Sequence, residues 1–550
     1  MLFLTIGWFV TLIMFWHWWL APQHRNDWFA FLVNSSLLLY ASLYPVLPIV
    51  RFNKITTVNP DLPVRQHRVA FCVTKAPSEP WVTARATLEA MLTQDFPYRY
   101  DVWLCDEDPS DEAVDWCHER GVLVSTRRGQ AEYQREAWPR RAKCKEGNLA
   151  YFYDHYGYRD YDVVSQLDCD HVPSPTYLLE MVRPFTDTSV GYVAAPSICD
   201  SNADQSWSAR GRLNREANFH GAYQSGCNVG YAPSCIGSHY AVRTKALREV
   251  GGLGPELAED FTTTYLLSAA GWQGAFALNA EAHGEGPPTL AAMLTQEFQW
   301  SRSLTTVMLT MATQLQTMRW RLRIRFLHAL MYYPVLAFTL AGGMCLAPAA
   351  VLTGLQWVNV PYLEFVVRFG AVNLWMIGIA LLLQHSGVRR PTSAPVVSWE
   401  EWLYQLVRWP LILRGVLAAF AQRIRPTRIE FRVTPKGNDG LEVLPTELLH
   451  PFYLISLAMS SIALVAEFVL NTDSWGYLLL CLLAASTYTF VSLVLPLLHA
   501  HESAKRAGVE FTHALGATAA IPLLVAIALI VPLAVAIAGY PYEHLPHLLY

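Results

Sequence analysis

The sequence lacks several features that would assign it to a familiar class of protein. Its 10 cysteines include no Cys-x-x-Cys pair, so reduced cytosolic thiols are expected. Residues 2–20 have no basic n-region and no small-residue cleavage site after them, so we do not expect a cleavable signal peptide. There is no internal repeat and no low-complexity tract. The formal net charge is only −4, so no overall electrostatic field favours nucleic acid as a partner.

Long apolar runs, in contrast, are abundant. Hydrophobic residues make up 53% of the 550 residues and the mean hydropathy is +0.20, values typical of a membrane protein with a sizeable soluble part. The sequence predicts a bundle of about seven transmembrane helices. The runs that predict them are residues 2–20, 28–50, 327–353, 366–383, 451–470, 477–498 and 519–538.

Basic residues near the ends of these runs predict the orientation of the chain. Since positive residues favour the cytoplasm, we expect a multi-pass protein of the plasma (inner) membrane with its N-terminus inside and its C-terminus outside. Under one threading the basic residues all lie on one side; they are Arg51, Lys54, Arg319, Arg321, Arg323, Arg325, Arg389, Arg390, Lys505 and Arg506.

The polar region between the two groups of runs predicts an α/β domain. Strand-like segments alternate with helical patterns there, which favours a parallel, Rossmann-like sheet. The strands are expected at residues 69–74, 102–105, 122–125 and 163–167, and the helices at 81–92 and 145–155. The expected parts are two transmembrane helices at 1–50, the cytosolic domain with interfacial helices toward its end at 51–320, helices three and four at 321–386, a polar segment at 387–449, and helices five to seven at 450–550.

The polar segment contains one long amphipathic helix, predicted at residues 401–422. Arg408 and Arg414 would lie at mid-depth if this helix crossed the bilayer, and Pro410 interrupts it. Because arginines are costly in hydrocarbon, we favour a helix in the plane of the membrane interface over an eighth span.

An acid-x-acid triplet, Asp168-Cys169-Asp170, ends the predicted strand at 163–167. The carboxyl edge of an open α/β sheet is where such folds bind ligands. Two carboxylates one residue apart suit a hard divalent cation, Mg²⁺ or Mn²⁺, that keeps open positions for phosphate oxygens. The triplet therefore predicts a metal-bound nucleotide, although such triplets also occur in turns.

Four further elements accompany the triplet along the domain: residues 73–79, 104–109, 145–148, and 258–260 together with 296–300. In order and spacing they resemble the family 2 inverting glycosyltransferases, specifically the membrane-embedded processive polysaccharide synthases such as cellulose, curdlan, chitin and hyaluronan synthases. The shared pattern is a scattered Asp, an Asp-x-Asp, a Glu-Asp pair and a Gln-x-x-x-Trp motif. The resemblance implies a GT-A glycosyltransferase domain inserted in the transmembrane bundle and a UDP-sugar donor.

The resemblance also implies roles for residues of the donor site. Asp170 would ligate the cation, with Asp168 beside it on the nucleotide sugar, and Lys145 would neutralise phosphate charge. Asp106 and Glu79 would accept hydrogen bonds from the uracil and ribose; the alternative is that both are ordinary solvated loop acids. The expected donor-site residues in this part of the chain are Thr74, Glu79, Asp106, Lys145, Asp168 and Gln296.

Inversion needs a carboxylate that takes the proton from the acceptor hydroxyl. Asp260 is the predicted base, with Glu259 as its supporting partner; the alternative is that Asp260 caps the helix that follows. Trp300 is expected to stack on the terminal sugar of the growing chain, although many of the 19 tryptophans will lie in the core or the interfacial belt.

Two departures from the family pattern concern the acceptor and donor grip. Residues 234–238 resemble the Phe-Phe-Cys-Gly-Ser segment with one inserted residue, which implies that Cys235, Gly237 and Ser238 line the acceptor site; a simple turn is the alternative. Gln299 stands where the family usually has an arginine, so we expect Arg302 or Arg243 to substitute, or a weaker grip on the donor.

Residues 431–436 resemble the Phe-x-Val-Thr-x-Lys gating loop of cellulose synthases. This resemblance implies that Phe431, Val433, Thr434 and Lys436 close over the donor nucleotide and exclude water, and it favours UDP-glucose as the donor. The alternative is a tether in which Lys436 meets lipid phosphates.

Together these features predict a processive inverting hexosyltransferase that polymerises a β-glucan, curdlan-like or cellulose-like, from UDP-glucose and translocates it across the plasma membrane. The alternatives are a hyaluronan- or chitin-like synthase that uses another UDP-sugar, a non-processive lipid glycosyltransferase, and a non-catalytic export scaffold. The expected partners are the UDP-sugar, the growing polysaccharide, the lipid bilayer and periplasmic or accessory export proteins. Linkage and oligomeric state stay open.

Overall fold

A computed structural model describes residues 1–255, 257–425, 440–470, 474–540 and 542–546. The strands are β1 (Val69–Lys75), β2 (Tyr100–Asp106), β3 (Leu123–Ser125), β4 (Val163–Asp168), β5 (Val172–Pro173), β6 (Val190–Ala194), β7 (Ser197–Ile198), β8 (His239–Arg243), β9 (Gln273–Phe276) and β10 (Ala282–His283).

The helices before residue 312 are α1 (Leu2–Trp19), α2 (Trp28–Leu43), α3 (Val46–Phe52), α4 (Trp81–Met91), α5 (Asp111–Arg120), α6 (Lys145–Phe152), α7 (Tyr158–Asp160), α8 (Tyr177–Val182), α9 (Trp207–Glu216), α10 (Thr244–Glu249), α11 (Glu259–Ala269) and α12 (Leu290–Met311). The later helices are α13 (Trp320–Thr353), α14 (Tyr362–His385), α15 (Trp399–Ile424), α16 (His450–Val465), α17 (Trp475–Ala507), α18 (Phe511–Thr518), α19 (Ala520–Ala528) and α20 (Ile530–Gly539).

The central sheet has seven strands in the order β3-β2-β1-β4-β8-β6-β9, and a smaller sheet has the order β5-β10-β7. Strands β3, β2, β1 and β4 are parallel, as the sequence predicts. Strand β8 runs antiparallel to both β4 and β6, so the sheet is mixed, and the parallel arrangement holds for the four predicted strands. This reversal brings the beginning of β8 to the edge where β1, β2 and β4 end.

Alternating side chains of β1 explain why this strand is central. Val69, Phe71 and Val73 pack into one hydrophobic cluster, and Ala70 and Cys72 pack into another on the opposite face. Side chains alternate across a strand, so the unbroken apolar run from Val69 to Val73 indicates a strand covered on both faces. The sheet is therefore a rigid support for its polar edge.

Eight helical segments of the described residues are long and apolar enough to cross a membrane, and they make the chain a membrane protein. Seven of them correspond to the predicted spans, and the eighth is α15, whose most apolar window is 56% buried inside the protein. Helix α15 packs closely on α12, since a Cβ placed on Gly415 would lie 2.1 Å from Oγ of Ser301. The interfacial position of α15 and the number of true spans stay predictions.

Candidate active site

The carboxyl ends of three neighbouring parallel strands meet at one edge of the sheet, and polar residues gather there. Thr74 lies opposite Asp168 in the ladder of β1 and β4, and Lys75 lies opposite Asp106 in the ladder of β1 and β2. The backbone N–H of Asp168 donates to the carbonyl of Ser238, just before β8, at 2.7 Å. The topology thus assembles one site from segments that are distant in sequence.

Asp168 and Asp170 converge with a third residue, His171, and their donor atoms lie within 4.8 Å of one another. Oδ2 of Asp170 accepts from the backbone N–H of Glu285 at 3.2 Å, and Oδ1 lies 3.1 Å from Nδ1 of His171. Burial alone would lower the pKa of His171, but the Asp170 carboxylate raises it to about 10. Two converging carboxylates fit a divalent cation, and the sequence analysis missed His171 although it directly follows the triplet.

Lys145, the first residue of α6, carries the positive charge at the centre of the site. Its ammonium donates to Oδ1 of Asp168 and to the carbonyl of Gly237, both at 2.6 Å. Burial opposes this charge, but the carboxylates of Asp168 and Glu259 raise the pKa of Lys145 above its ordinary value. The ammonium is therefore charged and already paired with one carboxylate, and its role in neutralising phosphate charge stays a prediction.

The other predicted donor residues lie at the ends of β1 and β2. Asp106 is fully buried and pairs with the ammonium of Lys75 at 3.1 Å, so the alternative of a solvated loop acid is wrong for it. Oε2 of Glu79 accepts from the backbone N–H of Ala76 at 2.8 Å, which closes the turn after β1. The hydroxyl of Thr74 lies 3.4 Å from Oδ1 of Asp168.

Glu259 and Asp260 begin α11 beside this charge cluster. Burial raises the pKa of both carboxyl groups above the ordinary range, and the nearby ammonium of Lys145 partly offsets the effect. Ala258 occupies the N-cap position of α11, and Asp260 lies in the first turn, where its Oδ1 accepts from the backbone N–H of Phe261 at 2.7 Å. The carboxylate thus satisfies a donor at the start of the helix, and the alternative of a helix-end role for Asp260 stays open. A carboxylate with a raised pKa is suited to accept a proton near neutral pH.

The segment predicted to line the acceptor site joins the cluster through Gly237. A Cβ on this residue would lie 3.4 Å from Oδ2 of Asp260, so glycine permits the close approach of the loop to the predicted base. Ser238 donates from Oγ to Oγ of Ser197 at 2.9 Å. The thiol of Cys235 is buried in the core, which does not support a direct contact with an acceptor.

Gln296 and Trp300 lie one turn apart on α12, next to a residue that the sequence analysis missed. Arg212 of α9 donates from Nη1 to Oε1 of Gln296 at 3.2 Å, and its guanidinium carbon lies 4.7 Å from the centroid of the Trp300 ring. The Trp300 ring also packs against Tyr333 and Ile412, which belong to α13 and α15. Arg212 lies 84 residues before Gln296, and no local pattern links the two.

Of the two arginines expected to replace the one missing at position 299, Arg243 lies away from the site. Arg243 ends β8 opposite Val163, at the far edge of the sheet, and donates to the carbonyls of Val190 and Phe185 at 3.0 and 2.9 Å. Arg302 donates to Oε1 of Gln422 on α15 at 2.7 Å. The expectation is wrong for Arg243 because antiparallel β8 carries it away from the site.

The predicted gating-loop residues Phe431, Val433, Thr434 and Lys436 lie outside the described residues, which stop at 425 and resume at 440. Their role in donor binding stays a prediction.

Residues 163–383, from β4 to the end of α14, match the family model described as Glycosyl transferase family group 2. With the mixed seven-stranded sheet, this match gives a GT-A glycosyltransferase fold. The solved mannosyltransferase of Pyrobaculum calidifontis, in complex with GDP-Man and Mn²⁺, aligns over 72% of this chain and 98% of its own, with a TM-score of 0.45 and 13% identity.

Two curated relatives are similar over part of the chain. The cellulose synthase catalytic subunit (UDP-forming) of Xanthomonas axonopodis pv. citri is 27% identical over 234 residues, which is 41% of this chain and 30% of the relative. The cellulose synthase 1 catalytic subunit (UDP-forming) of Komagataeibacter xylinus is 26% identical over 226 residues, which is 40% of this chain and 28% of the relative. The matched region thus spans less than a third of either relative.

Proposed function

We propose that this chain, which carries a family 2 glycosyltransferase domain, is a processive inverting transferase that polymerises a β-glucan from UDP-glucose and passes it across the membrane. The single observation that carries the proposal is the ammonium of Lys145, which bonds to Asp168 and to Gly237 at 2.6 Å beside the Glu259–Asp260 pair. Donor carboxylates and a proton acceptor thereby share one sheet edge. The names of the similar cellulose synthase subunits support glucose as the sugar.

The donor half of the site would hold the UDP-sugar by its charged part. Asp168 and Asp170 would bind a divalent cation, which supplies positive charge to the diphosphate as it leaves. Lys145 adds a fixed ammonium on the same side. Asp106, which is buried and paired with Lys75 at 3.1 Å, would contact the nucleoside only after its surroundings open on donor binding. Residues 431–436 would close over the nucleotide and exclude water.

The acceptor half would carry out the proton transfer. The hydroxyl oxygen of the chain end attacks the anomeric carbon of the donor sugar, the bond from that carbon to the diphosphate oxygen breaks, and the proton moves to the carboxylate of Asp260. Attack from the face opposite the leaving group inverts the anomeric configuration. Burial, which raises the pKa of Asp260, makes this carboxylate a stronger proton acceptor than a solvated one.

The position of Trp300 supports a route from the site into the membrane. This ring is part of a cluster with Tyr333 and Ala337 of α13 and Ile412 of α15, and α13 continues as an apolar helix of 34 residues. A sugar stacked on Trp300 would therefore lie at the entrance to the helical bundle.

Purified protein in lipid nanodiscs, incubated with radiolabelled UDP-glucose and then with glucanases specific for β-1,3 or β-1,4 linkages, tests the proposal. We expect a polymer that one of these glucanases degrades. Incorporation from UDP-N-acetylglucosamine or UDP-glucuronate instead would indicate a chitin- or hyaluronan-like synthase. Label that extracts into organic solvent without polymer would indicate a lipid glycosyltransferase, and no incorporation from any UDP-sugar would overturn the proposal.

A further inference from the structure

Arg212 is the feature of the site that the proposed chemistry leaves unused. It belongs to α9, outside the sheet edge, yet it contacts both ends of the Gln-x-x-x-Trp segment of α12. Its Nη1 donates to Oε1 of Gln296 at 3.2 Å, and its guanidinium carbon lies 4.7 Å from the centroid of the Trp300 ring. A planar guanidinium can stack on an aromatic face and donate a directed hydrogen bond at the same time.

The guanidinium is fixed from its other side. Nε of Arg212 donates to Oε2 of Glu216 at 3.1 Å, one turn along α9, and the same carboxylate oxygen lies 3.3 Å from Nε2 of His220. Burial would raise the pKa of Glu216, but Arg212 and His220 hold it at about 2. The carboxylate is therefore ionised throughout the physiological range, and the side chain of Arg212 is only 13% exposed.

Helix α9 itself is held by two other parts of the protein. The backbone N–H of Trp207, its first residue, donates to the carboxylate of Glu502 near the end of α17. One turn later, a Cβ on Gly211 would lie 2.8 Å from the backbone carbonyl oxygen of Glu400 on α15, so the two helices touch through their backbones. Arg212 thus projects from a helix that is attached to both α17 and α15.

We propose that Arg212 is a positioning residue for the acceptor-binding tryptophan, an inference that rests on the proposed function. It covers one side of the Trp300 ring and ties Gln296 to the same guanidinium, so the ring is oriented before a sugar arrives. Trp300 itself stays partly exposed, which leaves surface for a sugar. A ring that is already ordered loses less conformational entropy on binding, so Arg212 strengthens the hold on the chain end.

If Arg212 positions Trp300, its removal should change product length without changing the binding of the UDP-sugar. Weaker binding of the chain end increases release after each addition, so products become shorter, whereas binding of the UDP-sugar depends on the sheet edge and is retained. A merely structural role for Arg212 would lower the amount of active enzyme without changing product length. A direct contact with the donor would raise the KM for UDP-glucose instead.

The test compares Arg212→Met and Arg212→Lys with the wild type in nanodiscs at saturating UDP-glucose. We expect Arg212→Met to shorten the mean product about tenfold, the factor that corresponds to about 1.4 kcal/mol, which lies between the values for an exposed and a desolvated cation–π contact. The KM for UDP-glucose should stay within about twofold. Arg212→Lys keeps the charge but not the planar fork, so it should restore part of the product length.

Arg210→Met is the matched control, since Arg210 lies on the same helix but pairs with Glu400 at 3.0 Å, away from Trp300. It should leave product length unchanged. A double-mutant cycle with Trp300→Phe adds an independent arm, because residues that act through each other are not additive. The proposal is overturned if Arg212→Met and Arg212→Lys both make product of wild-type length. It is also overturned if they raise the KM for UDP-glucose and leave product length unchanged. Failure of the wild type to make polymer overturns the proposed function instead.

Discussion

Buried carboxylates are balanced by positive side chains in different ways at the polar edge of the sheet and in the interface of α9, α12 and α15. At the sheet edge, the carboxylates of Asp168, Glu259 and Asp260 all act on one ammonium, that of Lys145. In the helical interface three carboxylates each pair with an arginine. These pairs are Arg212 with Glu216, Arg210 with Glu400, and Arg408 with Glu297.

The polar edge of the sheet is therefore suited to bind ligands, and the helical interface is suited to stabilise the packing of the helices. Acids in excess leave negative charge that a cation or a proton must balance, and burial then shifts their pKa values. Acids paired one to one are satisfied internally and fix the geometry of the helices around them. Variants at the sheet edge should therefore change chemistry, and variants in the helical interface should change stability or positioning.

The largest expected effect is at Asp260. Asp260→Asn keeps the shape of the side chain but cannot accept the proton, so we expect polymer formation to fall by about 10²–10⁴-fold. UDP affinity, measured by calorimetry, should stay within about twofold of wild type because Asp260 lies on the acceptor side. Exposed Glu112→Gln is the control. If Asp260→Asn keeps a tenth or more of the rate, another group is the base.

The next prediction concerns Glu297, which pairs with Arg408 in the helical interface. A variant of this pair should lower stability rather than change the chemistry. Arg408→Met leaves Glu297 buried without the guanidinium that lies 3.4 Å away, and we expect it to lower the free energy of unfolding by roughly 3–5 kcal/mol. Thermal denaturation in detergent measures the loss. The double variant Arg408→Met/Glu297→Leu should recover much of it, since no charge is then left buried. A double variant as unstable as the single one would show that the pair is not an isolated unit.

The metal pair at the sheet edge should respond to chelation. Asp170→Ala removes one converging carboxylate, and we expect a rate lower by about 100-fold that added Mg²⁺ or Mn²⁺ restores poorly, because the cation loses a ligand. Wild-type enzyme in EDTA should lose activity and recover it when the cation is returned. Full wild-type activity in EDTA would contradict a metal at this site.

The smallest effect is the dependence on pH. Burial raises the pKa of Asp260, and only its carboxylate accepts a proton, so the rate should fall about tenfold per unit as pH drops below that pKa and level off above it. The folded state also binds more protons than the unfolded one between about pH 4 and the raised pKa, so the stabilisation by this group falls as pH rises through that window. A flat rate profile from pH 5 to 8 would contradict this assignment.

Local sequence patterns were sufficient to predict the strands that carry Asp106 and Asp168. An apolar run followed by acidic residues indicates both a buried strand and its polar end. They were insufficient for two long-range features. The antiparallel β8 brings Gly237 to Lys145 across 92 residues, and α9 brings Arg212 to Gln296 across 84 residues. Both contacts depend on tertiary packing, which no short motif encodes, and the same packing places Arg243 at the wrong edge for a donor contact.

The hydrogen bond between Glu502 and α9 connects the long helix α17 to the helix that orients Trp300. Helix α17 has 33 residues and is therefore about 50 Å long at 1.5 Å per residue, against about 30 Å for the hydrocarbon core of a bilayer. A thinner or thicker bilayer changes the tilt of such a helix. Since Glu502 binds the first residue of α9, a change in tilt would move the helix that orients Trp300, so we expect product length to vary with the acyl-chain length of the nanodisc lipid.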